Sequence, residues 1–139
     1  MVQIVCGEKG KGKTKILLDK VNTAVLNDAG NIVFIDKDSK RMYELDKKVR
    51  LIDISDYPIE EGAEFVGFVC GILSSDNDLE DIFLDSFLKV SKIPDKELEL
   101  AITRLDKIAS KFNVNVTISL SKNKADLPAS VAAKVTDAL

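Results

Sequence analysis

The chain has 139 residues, 45% of them hydrophobic and 31% charged, with a formal net charge of -3. That composition predicts one compact domain over residues 1–139 with a real apolar core, and a near-neutral balance gives no global pull toward nucleic acid or an anionic membrane. Histidine is absent, which excludes a zinc site built on imidazole, a His-based triad and a His general base.

In chain order, the apolar run Val2 to Cys6 reads as a β-strand that feeds directly into Gly7-Glu8-Lys9-Gly10-Lys11-Gly12-Lys13-Thr14. This octet is a complete G-x-x-x-x-G-K-[ST] loop. Gly7 and Gly12 free the backbone to aim successive N–H groups inward at phosphate oxygens. Lys13 places an ammonium on the outer phosphates, and the Thr14 hydroxyl is a magnesium ligand. Lys9, Lys11 and Lys15 crowd the same loop, and Glu8 and Gly10 complete it, so Gly7 through Lys15 form the expected nucleotide-binding segment.

A helix follows with Ile16, Leu17, Val21, Ala24 and Val25 on one face, stopping near Gly30. Asn31 to Asp36 and Arg41 to Leu45 read as two short strands, and Lys37 to Lys40 between them give a hairpin-like spacing. Val49 to Ile54 is a further strand, followed by an apolar helix from about Glu60 to Leu73 and a polar turn at Ser74 to Asp78. Asp81 to Asp85 reads as a short strand ending in a carboxylate. Asp95 to Phe112 is an amphipathic helix with Leu98, Ala101, Ile102, Leu105, Ile108, Ala109 and Phe112 on one stripe. Val114 to Leu120 is a strand, and Pro128 to Lys134 opens a final short helix. The alternation predicts an α/β fold with a mostly parallel sheet and a short hairpin.

The chain begins on a strand, without a charged-then-apolar leader, and no apolar run reaches membrane-spanning length, so a cytoplasmic protein without membrane insertion is expected. Cys6 and Cys70 sit inside apolar segments, as buried reduced thiols do.

A magnesium-nucleotide site also needs a carboxylate at the end of a neighbouring strand. Asp36, Asp53 and Asp85 each end such a run. The octet and the run Ile82 to Ser86 (IFLDS) together resemble the core of the RecA-like P-loop ATPases, with a three-layer α/β fold. That resemblance implies that Asp85 handles magnesium and that Asp38, in Phe34 to Asp38 (FIDKD), polarises the attacking water. The family carries the longer Glu there, which implies slow or partner-dependent hydrolysis. It further implies that Ser119 or Ser121 senses the γ-phosphate and that Lys122 and Lys124 are candidate fingers toward a neighbouring subunit.

Asn123-Lys124-Ala125-Asp126 reads N-K-x-D after a strand and resembles the guanine-reading motif of the small GTPases, in which the Asp accepts two hydrogen bonds from guanine. The D-x-x-G of that family is missing. Over nearly its whole length, from the octet through Val49 to Pro58 to Ile82 to Ser86, the chain also resembles small bacterial P-loop proteins known as twitching-motility ATPase-like. Taken together, these readings lead to an expectation of magnesium-dependent ATP binding with weak or partner-dependent ATPase activity. The alternatives are a small GTP-binding protein and a non-catalytic regulatory module. A protein partner or a homo-oligomer is compatible with each.

Overall fold

A computed structural model describes residues 1–139. Six strands form one sheet: β1 (Val2–Cys6), β2 (Asn31–Asp36), β3 (Val49–Asp53), β4 (Leu79–Leu84), β5 (Asn115–Leu120) and β6 (Val135–Ala138). Their spatial order is β3-β2-β4-β5-β1-β6, and every neighbouring pair is parallel. The inner strands are apolar on both faces because helices cover both faces. Ile32 to Ile35, Ile82 to Leu84 and residues 116–120 are all buried.

The chain path fixes which helix lies on which face. From β1 the path steps across the sheet to β2, and from β3 onward it steps back through β4 and β5 to β6. Right-handed crossovers therefore place α1 (Lys13–Asn27) on one face and α2 (Gly62–Ser75), α4 (Leu98–Lys111) and α5 (Ala129–Ala132) on the other. The two cores match this division. α1 shares a cluster of eight buried residues with Val5, Ile32, Phe34 and Phe83, whereas the opposite face holds a cluster of 27 that includes Phe65, Leu105 and Val131. No helix is long and apolar enough to cross a membrane.

Three sequence expectations are corrected. The hairpin expected between residues 31–36 and 41–45 is absent: the two neighbours of β2 are β3 and β4, and both run parallel to it. Residues 41–45 make turns instead of a strand, with Met42 and Tyr43 pointing into solvent where no sheet neighbour rewards their β propensity. The final helix ends at Ala132 and β6 follows it, pairing with β1. A five-residue helix, α3 (Phe87–Ser91), also follows β4 unannounced. Cys6 is buried and Cys70 half-buried, and both are unpaired.

At the amino end of β4, Asp81 lies on the α1 face near Asp28, the residue that caps the end of α1. Burial, then hydrogen bonding to Asp28 and the charges of Asp28 and Glu80, raise the Asp81 carboxyl to about 7. Asp28 Oδ2 is itself buried and has no hydrogen-bond partner. Because the folded value lies above the unfolded one, the fold binds the extra proton. Stability is undiminished below the unfolded value near 4 and falls as pH rises toward 7. Asp81→Asn should therefore raise the melting temperature at pH 8, by about 1 kcal/mol of stability after discounting for partial exposure, and change little at pH 4. Thermal unfolding of both proteins at the two pH values checks this, and equal shifts at both would refute it.

Candidate functional site

β1 and β5 are neighbours whose outgoing helices lie on opposite faces of the sheet. In open parallel sheets such a switch opens a crevice beyond the carboxyl ends of the strands. The Gly7–Thr14 octet occupies this position, its first amide donating to the Leu120 carbonyl of β5 at 3.2 Å.

Two glycines are needed where they stand. Gly12 has φ 94, in the left-handed region, and turns the loop into α1 without any side-chain cap, leaving first-turn amides for an anion. A Cβ on Gly7 would meet the Leu139 Cβ at 3.0 Å and its carbonyl oxygen at 3.2 Å. Lys13 is buried, and its ammonium donates to the Glu8 carbonyl at 3.0 Å, holding it inside the loop.

Asp85, one residue beyond β4, completes the geometry. Thr14 Oγ1 donates to its Oδ2 at 3.0 Å, while its Oδ1 accepts from Ser119 Oγ at 2.7 Å and from the Ser86 amide at 3.1 Å. Asp85 is 4% exposed. A hydroxyl and a carboxylate oxygen side by side are the hard donors that magnesium takes, so the residues fit that ion. They would hold it at Thr14 and Asp85.

The other two carboxylates are used differently. Asp53 accepts from the Ser55 amide and hydroxyl, as a strand-ending turn residue does. Asp36 is 1% exposed, accepts from the Lys37 amide at 2.7 Å and meets Arg41 Nε at 3.5 Å. Burial pushes its carboxyl above the usual range and the Asp85 charge adds to that, while the Lys37 amide and Arg41 oppose it.

A cavity of about 380 Å³ lies over these groups. Of the octet, Lys9, Gly10, Gly12, Lys13 and Thr14 line it, together with Ser119 and Ser121 at the end of β5. Lys11 and Lys15 are exposed outside the lining. Glu8 turns away and accepts from Asn123 Nδ2 at 2.9 Å, which brings the N-K-x-D segment against the loop. Lys124 and Asp126 are exposed on a short turn, and Lys122 is paired with Asp95 at 2.8 Å. Asp38 is not in the lining: its Oδ1 accepts from the Lys40 amide at 3.0 Å. Lys37 and Lys89 line the cavity instead, and sequence reasoning missed both. The adjacency of Lys37 to Asp36 was the available signal for the first, while Lys89 sits on the unforeseen α3.

No known protein-family profile matches the chain, and no curated protein does. Among solved structures it is similar to the flagellar accessory protein FlaH from Methanocaldococcus jannaschii, with a TM-score of 0.55 and 13% identity. The likeness covers 95% of this chain, which spans 65% of that one. At this identity it shows the fold alone, an α/β parallel sheet covered by helices on both faces.

Proposed function

We propose that this chain binds a magnesium–nucleoside triphosphate, ATP by preference, and hydrolyses it slowly or with a partner's help. The observation that carries the reading is the 3.0 Å contact between Thr14 and Asp85, which joins the phosphate loop to a buried carboxylate two strands away. A Gly- and Lys-rich surface turn that binds nothing has no use for that arrangement.

In this reading the Gly-rich backbone cradles the α and β phosphates and Lys13 reaches the β and γ phosphates. Water attacks the γ-phosphorus in line with the leaving oxygen, and Lys13 and the loop amides stabilise the charge that develops. Thr14 and Asp85 would hold magnesium, which would further neutralise that charge. Ser119 orients Asp85, and Asp38, which lies outside the cavity lining, must move toward the phosphates before it can polarise water, which fits slow or partner-dependent turnover.

A second reading, GTP binding, is favoured by the hydrogen bond from Asn123 to Glu8, because it braces the N-K-x-D segment on the phosphate loop. Thermal shifts with magnesium and either ATP or GTP, on the wild type and on Asp126→Ala, separate the two, since a bound ligand raises stability by mass action. The expected result is a larger shift with ATP, unchanged in the variant. A GTP preference that disappears in Asp126→Ala would replace the first reading by the second. Binding without phosphate release, with or without added partners, would leave a regulatory module.

A further inference from the structure

We propose that Lys37 and Lys89 form a pair of ammonium groups that grips the terminal phosphate, so that the site distinguishes a nucleoside triphosphate from a diphosphate. The proposal rests on the nucleotide-binding reading above and assigns a task to two residues that reading does not use.

Four lysines and a single carboxylate line the cavity: Lys9, Lys13, Lys37 and Lys89 against Asp85. Lys13 is already committed, buried and bonded to its own loop. Lys37 and Lys89 are exposed, and neither ammonium makes a salt bridge or a hydrogen bond. Lys9, also exposed and without a salt bridge, belongs to the phosphate loop itself at the end of β1. Arg41 pairs with Asp36 and Glu44, and Lys122 pairs with Asp95. With Lys37 and Lys89 both lining one cavity and neither neutralised by a carboxylate, an anion bound there is attracted by both.

Their position selects which anion. The phosphate loop lies at the end of β1, while Lys89 follows β4 and Lys37 follows β2, which lie two and three strands away. At the usual strand spacing those ends are about 10 and 14 Å from the end of β1. The loop amides hold the inner phosphates and Thr14 with Asp85 stands at the outer ones, so the chain of phosphates runs from β1 toward β4. Lys37 and Lys89 are at the far end of that path, against the γ-phosphate and beyond the reach of a diphosphate.

Titration calorimetry of the full chain with ATP and with ADP, each with magnesium, tests this on the wild type, Lys37→Ala and Lys89→Ala. Lys40→Ala serves as a control for the general field, since it removes a nearby charge from outside the cavity lining. Each cavity substitution should weaken ATP binding about tenfold, as loss of one charge-assisted contact does, and change ADP binding by less than about twofold. An equal loss for both nucleotides, no loss for either, or the same ATP-specific loss in Lys40→Ala overturns the assignment while leaving nucleotide binding intact. If the wild type binds neither nucleotide, the underlying reading fails and the pair falls with it.

Discussion

Lys13→Ala is expected to weaken magnesium-ATP binding by at least a hundredfold, about 2.7 kcal/mol, while the ligand-free protein keeps its fold. The size follows from what the ammonium does in each state. In the free protein it is buried against one carbonyl, Glu8, so its removal sacrifices one hydrogen bond and relieves the cost of burying a charge. With nucleotide bound, it makes charge-assisted contacts to two phosphates in a site largely shielded from water, each worth roughly 1.5–3 kcal/mol. The loss therefore falls almost wholly on the complex. Calorimetric titration measures it, and an affinity within threefold of wild type would sink the phosphate-loop reading.

Asp85→Asn should produce the second largest effect, of a different kind. The substitution keeps an oxygen for Ser119 and the Ser86 amide but removes the charge beside Thr14 Oγ1. Stability should change little, because a buried charge is lost along with the cost of burying it. Magnesium should then cease to matter. The gain in ATP affinity on adding magnesium, on the order of tenfold or more in the wild type, should collapse to near unity, since a hard divalent ion depends on carboxylate charge. Titrations with magnesium and with a chelator read this directly. Should Asp85→Asn retain the magnesium response while Asp36→Asn loses it, the metal carboxylate is the one on β2.

Much of this architecture is legible in the chain because its strongest local patterns agree with the tertiary context. The octet is unmistakable, since Gly12 serves a backbone turn that other residues take only with strain. The Leu98–Lys111 helix shows its buried stripe in its own periodicity. What stayed hidden depends on neighbours. β6 has alternate residues half-buried and is composed of Val, Thr, Asp and Ala, so nothing short of pairing with β1 identifies it as a strand. α3 is five residues long, too short for a period to register. Arg41 to Leu45 has the composition of a strand, but Arg41 turns to Asp36 and both sides of β2 are taken by β3 and β4. Lys37 and Lys89 belong to such segments, and a lysine in sequence looks the same whether it faces a cavity or open solvent. Among the three strand-end carboxylates the residues alone do not choose; the family resemblance points to Asp85, and Asp85 is the one bonded to Thr14, across the two places that separate β4 from β1.

The unequal division of the core has a further consequence for how the molecule opens. Of the three long helices, α1 is held by the smaller cluster alone through Leu17, Val21 and Ala24, whereas α2 and α4 share the larger one, so local unfolding of α1 exposes the least apolar surface of the three. Its amide protons should exchange through excursions well below the global unfolding free energy, while those of β4 and β5 wait for the whole domain to open. The phosphate loop runs directly into the first turn of that helix. A ligand that spans the loop and Asp85 would tie α1 to the sheet and close the gap between the two classes of proton.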